Sequence, residues 1–322
     1  MNKPVKQLIT ISTLLLTGMH IINRYTDICI TPVTTAKNDK TFVWKDLKIN
    51  YAEKGNKNNP TLLLLHNLSP SSSKEEWYCI DDKLSEQFHI FELDLPGCGR
   101  SDKPNVTYIN YMYVQLLHDF IKEIIGKRVN ICTTAYSSAF TFMTARMYTE
   151  IIDNIIVINP TSFDQLYAPV TKEGKLKEKI LDLPILGTFL YNCIMSKSSI
   201  ENNYKYLYFY NEKNVPEKAV DISYYNAHCK QSTGKYLLSS MLGNYTNINI
   251  IHALPKINNQ IYLIGNRNYK KIFQEYKKYN PSICTVYVSN CRMLPQMEIP
   301  KTIIENICNI LLSRHYVRED IK

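Results

Sequence analysis

From Phe42 onward, short apolar runs alternate with longer stretches whose apolar residues recur three and four positions apart, and this order restricts the fold more than any other feature of the chain. Such an alternation builds a doubly wound, mostly parallel sheet, an α/β fold with helices on both faces. Residues 42–51 read as an opening hairpin, and Thr61–Leu65 is a continuous apolar run, as a strand buried on both faces requires. Helical spacing follows over 77–86, then a strand over 89–95, a helix over 111–125, the strand Val129–Thr134, a helix over 138–148, and a strand over 155–158 that ends at Asn159 and Pro160. Between 161 and 250 the alternation stops, and a tyrosine-rich and lysine-rich stretch reads as helical, punctuated by Pro184 and Gly187. Strand patterns resume at 260–264 and 283–289, and a helix over Pro300–Leu312 closes the chain. An insertion of this length between two strands of one sheet is expected to be a helical cap, because a structureless loop of that size is rare in a compact domain. The expected organisation is an apolar N-terminal segment over 1–25, a linker over 26–40, a core over 41–160 and 251–316, and a helical cap over 161–250.

Composition narrows the function classes. At 322 residues and 45% apolar the chain can bury one large core. Its formal charge of +9 is scattered along the sequence, and no aromatic-and-basic module is present, so no nucleic-acid partner is expected. Nine cysteines, among them Cys98, Cys132 and Cys308, occur singly without paired C-x-x-C spacing. They read as small apolar residues, and neither a metal, a cofactor nor a disulfide framework is expected. Lys3 and Lys6 precede an uncharged run over 8–22, shorter than the roughly twenty residues of a spanning helix, and no small-x-small cleavage site follows it. An uncleaved anchor or interfacial helix is expected, with membrane association through it on an unassigned side. The alternative is an amphipathic helix packed on the domain.

Three segments, in order, carry a resemblance. Residues 62–77 (LLLLHNLSPSSSKEEW) join a buried strand to a loop and a tryptophan; residues 94–104 (DLPGCGRSDKP) form a glycine-rich turn after the next strand; residues 291–300 (CRMLPQMEIP) end in Glu-x-Pro. In the second, Gly97 and Gly99 let the backbone turn sharply and Asp94 can accept backbone N–H bonds. Together these segments resemble the α/β-hydrolase superfamily over about residues 42–313, which implies a sheet of that type, a cap, and serine-hydrolase-like chemistry.

The resemblance also assigns candidate sites. His66 is expected to hold the loop whose backbone amide, at Asn67 or Leu68, completes an oxyanion hole, with a second amide at Ser138. A nucleophile elbow needs small residues around its serine because the bend is strained and a helix packs closely against it. In the run Ala135-Tyr136-Ser137-Ser138-Ala139, Ser137 is the candidate nucleophile; a register shifted by two puts Ala135 at that position, and Ser137 then reads as a helix N-cap. The family's acid and histidine positions fall on Asn268 and Met293, and neither side chain can do the work of a carboxylate or an imidazole. Asp164, His228 and His252 are the alternative acid and bases. Two readings follow: a serine hydrolase of small apolar esters or thioesters, or a catalytically inactive pseudo-hydrolase that binds a small-molecule, lipid-like or protein partner at the membrane. Tyr204, Tyr206, Tyr208 and Tyr210 suit the inner face of the cap or an interface. Oligomeric state is left open.

Overall fold

A computed structural model describes residues 3–33 and 39–312. The opening hairpin is β1 (Asp39–Trp44) and β2 (Leu47–Lys54), antiparallel, with Phe42 opposite Ile49. The remaining strands are β3 (Thr61–Leu65), β4 (His89–Leu93), β5 (Val129–Thr134), β6 (Ile152–Ile158), β7 (Gln260–Gly265) and β8 (Cys284–Tyr287). They form one sheet in the order β1-β2-β4-β3-β5-β6-β7-β8, in which β2 meets β4 antiparallel and every pair from β4 onward is parallel. Strands β3 and β4 lie inside the sheet, and all ten of their residues are buried. Because successive side chains point to opposite faces, Leu62 and Leu64 join Trp77, Ile303 and Ile307 on one side, while Leu63 and Leu65 join Phe120 and Phe140 on the other. Each buried leucine contributes on the order of 2 kcal/mol of transfer free energy, so this central run anchors both layers.

The helices are α1 (Lys3–Cys29), α2 (Asp81–Leu84), α3 (Asn110–Phe120), α4 (Ser137–Met147), α5 (Phe163–Tyr167), α6 (Lys172–Asp182), α7 (Leu186–Ile194), α8 (Lys197–Asn203), α9 (Glu217–His228), α10 (Lys235–Leu242), α11 (Lys270–Tyr279), α12 (Pro295–Glu298) and α13 (Pro300–Leu312). Helices α5 to α10 are inserted between β6 and β7. This is the expected α/β class with a mixed sheet of the α/β-hydrolase type.

Two elements differ from the expectation. The helix expected over 77–86 is one 3-10 turn, Lys74–Trp77, followed by the single-turn α2; the spacing of Trp77, Ile80, Leu84 and Phe88 marked the face that is buried, but not whether the backbone between them stays helical. The N-terminal helix runs past residue 25 to Cys29, into the expected linker, because its last turns pack on α7. Residues 34–38 of that linker, and 313–316 of the expected core, lie outside the described residues.

Candidate functional site

Strand β5 ends at Thr134 and α4 starts at Ser137, so the turn between them has two residues. Ala135 makes the bend with φ +41. Its N–H donates to Ile158 O at 3.0 Å and its carbonyl accepts Ser138 N–H at 3.2 Å. A left-handed conformation costs a residue with a Cβ about 1–2 kcal/mol, and the buried strands on either side impose it. Ser137, two residues on, is fully buried in the first turn of α4, and its hydroxyl donates to His66 O at 2.5 Å. The expectation that Ser137 opens onto a cavity is therefore corrected: the shifted register is the one adopted, and the bend carries a methyl group.

Ala135 borders a cavity that the inserted helices close from above, where Tyr204, Tyr208 and Asn226 face Asn67 and Met293. Its volume is about 40 Å³, enough for a few waters or a small polar group. The amide that follows the bend, Tyr136 N–H, does not point into open space. It donates to Asn67 Oδ1 at 3.1 Å. The amide of Asn67 is also occupied, donating to Glu76 Oε2 at 3.0 Å. Glu76 Oε1 accepts from Thr134 Oγ1 at 2.7 Å and from Gln296 Nε2 at 2.8 Å. Burial pushes this carboxyl up to about 7, although the three donors favour its charged form.

His66 supports the loop from behind. Its Nε2 accepts Leu95 N–H at 3.1 Å, so the neutral ring donates from Nδ1 to Asn67 O at 2.7 Å. Burial holds it at about 4, and it stays uncharged at neutral pH. Beside it, Asp94 accepts Lys74 N–H at 2.7 Å and Arg100 N–H at 2.9 Å, closing the glycine-rich turn.

The opposite wall is held by Asn159, at the end of β6 with φ +51. Its Nδ2 donates to Arg292 O at 2.8 Å and Met293 O at 3.1 Å. Gly265 leaves room for it, since a Cβ there would stand 2.6 Å from Asn159 Oδ1. Met293 N–H donates to Tyr208 O at 3.0 Å, joining this loop to the insertion.

Comparison with known proteins agrees with this architecture. A family model for the alpha/beta hydrolase fold matches residues 60–194. Among solved structures, a membrane phospholipase A described as a bacterial virulence factor superposes with a TM-score of 0.66 at 17% identity, covering 96% of this chain and 94% of that one. The carboxylesterase CesB of Bacillus subtilis gives 0.65 at 13%, covering 92% and 98%. The chain has the alpha/beta hydrolase fold. Curated relatives match over shorter stretches. An uncharacterised protein of Mycobacterium tuberculosis is 25% identical over 39% of this chain, and the 2-hydroxy-6-oxo-6-(2'-aminophenyl)hexa-2,4-dienoic acid hydrolase of Metapseudomonas resinovorans is 23% identical over 34% of it. The matched stretch spans about a third of each relative's own length, 34% and 37%.

Within this fold the other expected residues are dispersed. Ser138 is buried in α4, with its hydroxyl on Ala135 O at 2.6 Å; the amide after the bend belongs to Tyr136, which corrects the place expected for Ser138. Leu68 is a core residue. Asn268 sits exposed on a 3-10 turn, with its N–H donated to Asn266 Oδ1, and does not line the cavity. Asp164 on α5 and His252 after the insertion are exposed and also away from it. His228 is buried in α9, its ring tilted against Tyr224 with centroids 4.5 Å apart and Nδ1 at 3.2 Å from Tyr224 O; burial holds it at about 4, and it too lies outside the lining. Of the tyrosine cluster, Tyr204 and Tyr208 line the cavity, whereas Tyr206 and Tyr210 are exposed.

The sequence reading missed Glu76 and Asn159. Glu76 was visible only as an acid immediately before a tryptophan. Asn159 carried a clearer mark: it ends a strand directly before a proline, and asparagine tolerates positive φ.

Proposed function

We propose that this chain is a membrane-associated pseudo-hydrolase, in which the site under the inserted helices binds a small polar group and breaks no bond. The observation that carries the reading is the hydrogen bond from Tyr136 N–H to Asn67 Oδ1 at 3.1 Å. An oxyanion hole works by offering preorganised donors to charge that develops in the transition state. Here a side-chain carbonyl of the protein holds that donor, and Glu76 holds the neighbouring amide. Ala135 supplies no nucleophile at the bend, and Met293 supplies no base beside it. The likeness to proteins named as esterases and phospholipase is a likeness of fold, and fold alone does not carry activity. The apolar α1 supports the membrane part of the reading, since it carries an uncharged, largely apolar run that lies exposed at the N-terminal end of the helix.

A fluorophosphonate probe tests the inactive site. The full chain is expected to remain unlabelled from about pH 6 to 9. Labelling of the wild type that disappears in Ser137→Ala would restore the serine-hydrolase reading. Binding is read by native mass spectrometry of the purified chain, where Ala219→Phe, which fills the cavity, is expected to lose any retained small molecule.

A further inference from the structure

The N-terminal helix is attached to the inserted helices by a buried polar clasp. Asn23 is buried although every residue from Lys3 to Gly18 is exposed. Its Nδ2 donates to Ile185 O at 3.0 Å, and its Oδ1 accepts from Asn192 Nδ2 at 3.0 Å, so both ends of one amide are spent on α7. The residues of α1 that lose solvent, Met19, Asn23, Thr26 and Asp27, recur at helical spacing and form a single docked face. Leaving such buried groups unpaired costs about 1–3 kcal/mol each. Helix α1 is therefore a fixed post on the insertion and not a free tether.

Length then decides where the insertion sits. The uncharged run of α1, residues 7–23, lies between Lys6 and Arg24. At 1.5 Å per residue it reaches about 25 Å, short of the roughly 30 Å hydrocarbon core of a bilayer. A post this short cannot hold the domain clear of a membrane. Burying its apolar run brings Asn23, and with it α7, to the level of the headgroups.

The surface there suits that depth. Leu183, just after the end of α6, and Ile194, the last residue of α7, are each 45% exposed. Lys172, Lys175 and Lys179 are exposed on α6, which packs beside α7, and long lysine stems can place their charge among headgroups. Resting on the anchoring reading above, we propose that the face around α7 is seated in the headgroup layer of a lipid bilayer, so that α1 and the insertion together form one membrane-docking surface.

The test uses the full chain in phosphatidylcholine vesicles containing about a third phosphatidylglycerol, with brominated acyl chains as depth-dependent quenchers. Tryptophan is introduced at Ile194, on the proposed surface, and separately at Val43, which is 65% exposed on β1. Flotation with the vesicles, a blue-shifted Ile194→Trp emission, and quenching at least twofold greater than that of Val43→Trp are expected. Leu183→Trp serves the same purpose should Ile194→Trp misfold. A chain that floats while Ile194→Trp and Leu183→Trp are quenched no more than Val43→Trp overturns the seated surface and leaves a loosely tethered domain. A chain that does not float at all removes the anchoring reading itself.

Discussion

Replacing Ser137 with alanine removes a buried hydroxyl that donates to His66 O and leaves that buried carbonyl without this partner. The expected result is a loss of about 1–2 kcal/mol in urea unfolding without any change in probe reactivity, which separates a structural serine from a nucleophile. Glu76 gives a pH-dependent prediction. Its carboxyl is pushed up to about 7 in the folded chain by burial, against an ordinary value of 4.5, so the folded state holds the proton more tightly than the unfolded one. Stability from this group is full below about pH 4.5 and lost as pH rises through about 7. His66 and His228, both held at about 4, act in the opposite direction: their contribution is present above the ordinary histidine value and lost as pH falls toward 4. The Glu76 part is isolated by comparison with Glu76→Gln. The stability of wild type relative to the variant is expected to fall by about 2–3 kcal/mol between pH 4.5 and 7.5, measured by denaturant titration across that range; a flat difference would mean that the three donors cancel the burial.

At the scale of elements, the glycine-rich turn after β4 was legible because its chemistry is local. Gly99 sits at φ +46, and a Cβ there would meet the Asp94 carboxyl at 2.4 Å, the same carboxyl that binds Lys74 N–H and Arg100 N–H. Gly99→Ala is expected to cost about 2–4 kcal/mol, seen as a lowered unfolding midpoint, whereas Gly126→Ala, with nothing within 4 Å, pays only for its positive φ of +70 and should cost less. The bend between β5 and α4 was not legible in the same way. Small residues stand at Ala135, Ser137, Ser138 and Ala139, and local sequence admits a helix start at either register. What selects one is the pairing of β5 with β6, which places Thr134 opposite Ile158 and hands Ala135 N–H to the Ile158 carbonyl.

For the whole molecule, deleting residues 1–22 leaves the Asn23 clasp to α7 in place while removing the apolar length of α1. The shortened chain is expected to move from the membrane pellet to the supernatant on fractionation, with its unfolding free energy within about 0.5 kcal/mol of the intact chain; retention in the pellet would assign membrane attachment to another surface. The alternation of strands and helices along the chain, the α/β class, the inserted helices and the apolar N-terminal segment all followed from the sequence alone, because periodicity and turn chemistry are written into neighbouring residues. The absence of a histidine or acid at Met293 and Asn268 was equally visible, since a missing functional group needs no coordinates. Only the tertiary structure decided that Ala135 and not Ser137 takes the bend, that Asn67 occupies the Tyr136 amide, and that Glu76 lies buried beneath it, held by three hydrogen-bond donors. Each of these depends on groups 9 to 220 residues apart in sequence that are joined by hydrogen bonds a few ångströms long, and such pairings exist only once the sheet and the inserted helices have closed around them.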